Sequence, residues 1–160
     1  EPNVIHKYMV KLEKMGKLKA IVTQNIDGLH TKAGSTNVLE LHGTIYKNHC
    51  IMCHKFYDAE YVFNSKDVPV CECGGTIKPD VVLYGEMLDE YVLNHSIEAI
   101  SKCDTLIVAG TSLTVEPASS LIRLFNGKNL VIINRDATSY DSIASLVIND
   151  EFKNIFDKLK

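Results

Sequence analysis

The stretch Thr105-Leu106-Ile107-Val108-Ala109-Gly110-Thr111-Ser112 opens with a continuous run rich in branched apolar residues and closes with glycine and two small hydroxyl residues. A run without apolar and polar alternation is buried on both faces, which is the habit of a strand inside a parallel sheet. Three other runs read the same way: residues 18–23, 130–133 and 145–148. Helical patterns lie around them. Residues 88–102 and 117–126 are candidates, the latter with Pro117 in its first turn, and residues 151–160 form a closing candidate. At the start of the chain, Val4, Ile5, Tyr8, Met9, Leu12 and Met15 recur at helical spacing over residues 1–17, with Gly16 as the stop. Strands alternating with helices predict an α/β fold, a parallel sheet with helices on both faces.

Each apolar run is followed by polar residues. Gln24, Asn25 and Asp27 follow the first; Gly110, Thr111 and Ser112 the second; Asn134, Arg135 and Asp136 the third; Asn149 and Asp150 the last. In an open parallel sheet, ligands sit outside the carboxyl ends of the strands, where loops and helix N-termini gather. Four such clusters predict a small polar ligand at that edge. Asn149 and Asp150 suit a helix cap equally well.

The 160 residues are 46% hydrophobic and 23% charged, which excludes a disordered or low-complexity chain and suits one domain with a small insert. The formal charge is −3 and the basic residues are scattered singly, so neither a nucleic-acid surface nor a polybasic membrane anchor is expected. No apolar run approaches the roughly 18 residues of a membrane span, and no signal peptide opens the chain. A soluble, cytoplasmic protein is the expectation.

Between residues 39 and 85 the pattern breaks into short pieces, and four of the five cysteines fall there. Cys50-x-x-Cys53 and Cys71-x-Cys73, the second pair followed by Gly74 and Gly75, form a metal-ligand pattern. Four thiolates around Zn²⁺ fill a tetrahedral shell and leave no open position for water, so the zinc is expected to be structural. The tighter second pair still suits an extended segment, in which residues i and i+2 point to one side. Disulfides are the lesser reading in a chain with no mark of secretion. His49 and His54 are read as exposed loop residues, and Cys103, just before a buried strand, as a small core thiol.

His42 stands in Leu39-Glu40-Leu41-His42-Gly43, where the glycine suggests a strand end beside closely approaching backbone. Read in order, Gln24-Asn25-Ile26-Asp27-Gly28-Leu29-His30, Leu41-His42-Gly43, the two cysteine pairs, Pro79-Asp80-Val81-Val82-Leu83-Tyr84-Gly85-Glu86, Gly110-Thr111-Ser112-Leu113, Val115-Glu116-Pro117-Ala118 and Ile133-Asn134 resemble the sirtuins, the NAD-dependent protein deacylases. The resemblance runs from about Pro2 to the end of the chain.

It implies a Rossmann-like parallel sheet with a small zinc-ribbon-like module. The NAD-binding part would be residues 1–44 and 79–160, and the module residues 45–78. Gln24 and Asn25 would meet the ribose and its water, Ile26 and Asp27 the carboxamide of nicotinamide. His42 would be the general base on the ribose hydroxyls, facing Asp27 across the nicotinamide crevice. Gly110, Thr111, Ser112, Asn134 and Arg135, with Asp150, would complete the cofactor contacts. The acyl oxygen of a modified lysine would attack the anomeric carbon, nicotinamide would leave, and O-acyl-ADP-ribose would form. Val82, Leu83, Tyr84, Gly85 and Glu86 on one side and Val115 on the other would receive the acyl-lysine peptide as an added strand.

The sirtuin pattern also includes a Gly-Ala-Gly-x-Ser segment and a cofactor loop, and no such phosphate cradle occurs in residues 1–160. A fragment, missing one strand of the sheet and weakly active or inactive alone, is therefore expected. The competing reading is a zinc-ribbon interaction module without catalysis, which leaves the polar strand ends unexplained. A hydride-transferring dehydrogenase lacks its fingerprint here.

Overall fold

A computed structural model describes residues 1–156; the last part of the expected closing helix, 157–160, lies outside the described residues. Helix α1 (Val4–Lys14) starts at Asn3, whose side chain accepts the backbone N–H groups of Ile5 and His6 at 3.0 and 3.3 Å. The His6 ring reaches back to the Asn3 N–H, closing a capping box. Gly16, at φ +68°, follows the helix end; the helix starts at Val4 with the apolar pattern and stops one residue before Met15, inside the expected 1–17.

Strand β1 (Ile21–Thr23), helix α2 (Leu29–Ala33) and strand β2 (Val38–Glu40) form a parallel pair with Ile21 opposite Val38 and Thr23 opposite Glu40. The chain then enters an antiparallel sheet. Strand β3 (Gly43–Cys50) lies between β4 (Phe56–Asp58) and β5 (Ile77–Val81), and helix α3 (Ala59–Phe63) follows β4. Helix α4 (Glu90–Lys102) begins at Asp89, whose carboxylate accepts the Val92 N–H at 2.9 Å. Strands β6 (Thr105–Ala109), β7 (Asn129–Ile133) and β8 (Leu146–Ile148) form a second parallel ladder in that order, and α5 (Phe152–Phe156) follows.

One core joins the two parallel ladders. Leu41, Ile100 and Leu121 are buried together, with Val22 of β1, Leu106 of β6 and Val92, Leu93 and Ile97 of α4 packed against them. Below it, Ile122, Leu130 and Ile132 form a second cluster with Val108 and Leu113. Tyr8 of α1 meets Phe156 of α5 at 5.0 Å between ring centres. The α/β fold with its small cysteine module is therefore present.

Three expectations change. The four apolar runs do not pair as one sheet among the described residues: β1 takes β2 as its partner, and β6 to β8 stand as a separate ladder. A continuous apolar run favours a strand and says nothing of which strand lies alongside; nor is the expected burial on both faces found in β6, where Thr105, Ile107 and Ala109 are exposed. Residues 117–126 form a 3-10 helix, Ala118–Leu124, instead of an α-helix. Its ends are closed by bonds of 3-10 type: the Pro117 carbonyl accepts the Ser120 N–H at 3.1 Å and the Ile122 carbonyl the Phe125 N–H at 3.2 Å.

Candidate active site and metal centre

The loop after β1 is held by backbone hydrogen bonds to the segment that follows β2. The Leu41 N–H donates to the Thr23 carbonyl at 2.9 Å, and the Ile45 N–H donates to the Ile26 carbonyl at 3.2 Å. Between these, Nδ1 of His42 lies 3.1 Å from the Gln24 carbonyl oxygen. A carbonyl can only accept, so Nδ1 carries the proton and Nε2 keeps its lone pair. The half-buried imidazole is thus oriented with a basic nitrogen available. On its other side the His42 carbonyl accepts the Val82 N–H at 3.0 Å, tying the histidine to the end of β5.

Gly43 sits at φ +73°, and a Cβ there would come within 1.8 Å of the Asp80 carbonyl oxygen. The close backbone approach expected beside the histidine is present. Gly28 is constrained likewise, at φ +61° with the Tyr46 ring 2.7 Å from where a Cβ would stand.

Asp27 is engaged locally. Its Oδ1 accepts the Leu29 N–H at 3.0 Å, two residues on, across the left-handed Gly28 that precedes α2. Its charge acts on His6, His30 and Glu40. Sequence reasoning missed this group. Burial pushes Glu40 above the ordinary carboxylate range, with the Asp27 charge adding to it. Burial pushes His30 and His6 below the ordinary imidazole value, and their rings meet at 4.6 Å between centres. Glu40 and His42 are two apart, a spacing visible in sequence; the meeting of α1 with α2 that brings in His6 is not.

The other predicted cofactor residues gather at the carboxyl ends of β6, β7 and β8. Asn134, Arg135 and Asp150 line one cavity of about 380 Å³ with Asp136 and Phe152. Gly110 stands at φ +66°, and its missing Cβ leaves room for the Phe152 ring 3.0 Å away. Thr111 and Ser112 turn the loop: the Thr111 hydroxyl accepts the Leu113 N–H at 3.1 Å, and the Ser112 and Thr114 hydroxyls are 2.8 Å apart. Just before α5, Asp150 accepts the Glu151 N–H at 2.7 Å and the side-chain amide of Asn154 at 2.8 Å. This cavity gathers neither Thr111 and Ser112 nor the residues of the 24–27 loop.

In the segment after β5, Leu83, Tyr84 and Glu86 are exposed and Val82 is half-buried; Val115 is exposed too. Core packing therefore does not account for Leu83, Tyr84 or Val115. The Glu86 carboxylate accepts the Leu83 N–H at 2.9 Å and pairs with Lys78 at 3.1 Å, which together hold it below the ordinary carboxylate range and close the turn through Gly85.

The four cysteines converge. One sulfur from each of Cys50, Cys53, Cys71 and Cys73 lies within 4.8 Å of all the others. Cys50 and Cys71 are buried and Cys53 and Cys73 exposed. Gly75 is where it is because a Cβ there would stand 2.6 Å from the Cys50 sulfur. Four thiols so close cannot all ionise without a cation. The Cys73 backbone N–H and the Tyr57 hydroxyl draw Cys71 down to about 6. For Cys73 the Gly75 N–H pulls downward, but three neighbouring sulfurs outweigh it and carry the thiol up to about 12. An ion that takes four sulfurs tetrahedrally removes the conflict, so the cluster fits one structural zinc. His49 is not in the set; it pairs with Asp80 at 2.8 Å. Cys103 is half-buried against the Ile100 carbonyl, and burial raises its thiol, as a core residue would have it.

The model of the Sir2 family matches residues 1–117. The chain belongs to the Sir2 family. Over 161 aligned residues it is 58% identical to the NAD-dependent protein deacetylase of Clostridium perfringens (strain 13 / Type A), covering 99% of this chain and 66% of that protein. The Clostridium acetobutylicum deacetylase is 55% identical, covering 98% of this chain and 65% of its own length. This Sir2-family chain thus spans just under two thirds of these curated relatives. Among solved structures, Sir2 in complex with the inhibitor EX-527, 2'-O-acetyl-ADP-ribose and deacetylated p53 peptide superposes with a TM-score of 0.94 at 39% identity, covering 99% of this chain and 70% of that one. A Sir2–p53 peptide–NAD+ structure gives 0.93 at 39% identity, covering 99% and 69%. The Sir2-family assignment bears out the resemblance drawn from the motifs.

Proposed function

We propose that this chain supplies the base, the nicotinamide-side pocket, the strand-end cofactor contacts and the metal module of an NAD-dependent protein-lysine deacylase acting on acetyl-lysine. The observation that carries the reading is the Nδ1 hydrogen bond from His42 to the Gln24 carbonyl, which leaves Nε2 as a proton acceptor beside the polar loop after β1.

NAD, when bound, would supply an anomeric carbon that releases nicotinamide and a ribose that accepts the acyl group, with water freeing the lysine amine. His42 Nε2 takes the proton of a ribose hydroxyl as that oxygen becomes a nucleophile. Gln24 and Asn25 bind the ribose side and Ile26 and Asp27 the carboxamide side. Gly110, Thr111, Ser112, Asn134, Arg135 and Asp150 bind the rest of the dinucleotide. The turn from Val82 to Glu86 and the backbone at Val115 take an extended peptide between them, and this uses main-chain bonds and asks little of peptide sequence. Residues 1–44 and 79–160 act as the NAD-binding part and 45–78 as the metal module. The relatives named as deacetylases support the reaction. Solved structures described as Sir2 bound to acetylated peptide and Sir2Tm bound to a propionylated peptide support the substrate class. No helix among the described residues is long and apolar enough to cross a membrane, and the free cysteines suit a reducing compartment, here proposed as the cytoplasm.

The test measures nicotinamide release from NAD with an acetyl-lysine peptide, using the polypeptide that carries these residues. His42→Ala should lower the rate by roughly a hundredfold or more, the range for loss of a general base, with bound zinc unchanged. A variant that keeps its rate removes His42 from the mechanism and with it this assignment.

A further inference from the structure

Tyr57 is buried at 8% exposure, and its hydroxyl donates to the Cys71 sulfur at 3.1 Å. The tyrosine comes from β4, on the hairpin that carries Cys50 and Cys53, whereas Cys71 belongs to the second knuckle. The bond therefore crosses between the two halves of the metal site. Around it stands a charged strut. The Lys55 ammonium lies 5.5 Å from the centre of the Tyr57 ring and pairs with Glu72 at 2.7 Å, and Glu72 is the residue between the two cysteines of the second pair. Tyr61 packs against the same ring at 4.7 Å between centres.

We propose that Tyr57 is a positioning residue for the zinc ion, holding Cys71 on the metal, and that Lys55 and Glu72 brace it. The inference rests on the cysteine cluster being a zinc site. Four thiolates on Zn²⁺ leave net negative charge on the sulfurs, and a donated O–H disperses part of that charge without removing a ligand. A cation over the face of the ring draws electron density from the phenol and strengthens its hydroxyl as a donor. Cys53 and Cys73 are exposed, so zinc departs by release of those sulfurs first. The hydroxyl bond keeps the buried Cys71 in place so that the released ligands rebind. Partners outside the ligand shell commonly change metal affinity by roughly 10–100-fold.

The experiment follows zinc transfer from the loaded chain to a chromophoric chelator at neutral pH. Tyr57→Phe keeps the ring and its packing and removes only the donor; zinc should leave about 10–100-fold faster. In the cobalt-substituted protein the sulfur-to-metal charge-transfer band should move to lower energy, because a thiolate without its hydrogen bond is easier to oxidise. Loss of packing alone would not move that band. Should Tyr57→Phe fail to hold metal after purification, Lys55→Met, on the exposed side of the ring, decides the matter, with zinc release a few-fold faster expected. Release within twofold of the parent in every variant that retains metal, with an unmoved cobalt band, overturns the proposal. A parent chain without one zinc overturns it together with the metal assignment, so zinc content separates the two failures.

Discussion

Replacing Gly43 by alanine should destabilise the chain and displace the candidate base together. Gly43 has φ +73°, and its new Cβ would lie 1.8 Å from the Asp80 carbonyl oxygen, 2.9 Å from the Asp80 carbonyl carbon and 3.4 Å from the Val81 Cα. The left-handed conformation costs a non-glycine residue roughly 1–2 kcal/mol. Forcing a methyl against packed atoms adds about 1–3 kcal/mol. The sum is about 2–5 kcal/mol, which for a domain of this size lowers Tm by roughly 5–20 °C. The obstructing atoms are backbone of β5, paired with β3 on one side of the clash and bonded from Val82 to the His42 carbonyl on the other, so they do not swing aside as a side chain would. Gly16→Ala is the internal control. Its φ is +68° and nothing lies within 4 Å of the added carbon, so it carries the conformational cost alone. Urea unfolding of both zinc-loaded variants measures the difference. If Gly43→Ala is no more destabilising than Gly16→Ala, the close approach that seats His42 is not what the geometry says it is.

Acid should weaken the fold through His6 and His30. Burial holds both below the ordinary imidazole value, so just under pH ~6.5 the unfolded chain binds more protons than the folded one and stability rises with pH there. Stability should therefore fall as pH drops from about 6.5 toward the lower folded values, levelling once those are passed. His30→Gln should flatten that slope in unfolding curves taken from pH 7.5 to 5.5, and an unchanged slope would exonerate the pair. At the peptide segment, Glu86→Gln keeps an acceptor for the Leu83 N–H but loses the charge that meets Lys78. The proposed peptide cleft should loosen, seen as a KM for acetyl-lysine peptide about 3–10-fold higher with bound zinc unaltered; an unchanged KM would detach this turn from substrate binding.

What the residue pattern could show depended on how local the physics was. Strand β6 was legible to the residue because a short run of branched apolar residues needs only its own composition to favour a strand, although the burial expected on both faces is not found: its residues alternate between exposed and half-buried, with Ile107 exposed. The partner of β1 was not legible, since pairing is decided by the turn through Gly28 and Gly34 and by the packing of Leu41 under α4. The cysteine ligands were legible because a chelate needs its donors at short spacing, and Gly75 with them. Tyr57 and Lys55 were not, because a residue that supports a ligand from outside obeys no fixed interval. Asp27 shows the intermediate case: its polar character and position were plain, but its local bond to the Leu29 N–H and its effect on His6, His30 and Glu40 depend on which elements meet around it.

The loop at 24–27 illustrates why a polar cluster can be stable and still available. Its anchorage uses main-chain carbonyls: Thr23 accepts from Leu41, Gln24 from the His42 ring and Ile26 from Ile45. The Asn25 N–H is met by the Thr23 hydroxyl at 3.1 Å. The side chains of Gln24 and Asn25 make no hydrogen bond among the described residues, although Gln24 is half-buried. Polar groups in a tightly held loop normally find partners within the protein. Here the backbone supplies the rigidity and the amides are left over, so the main chain that carries them is held while their own rotamers are still to be ordered by whatever they bind. His42 shares in that anchorage: the bond that fixes its tautomer is one of the bonds that holds the loop, so the candidate base is tied directly to the backbone at Gln24.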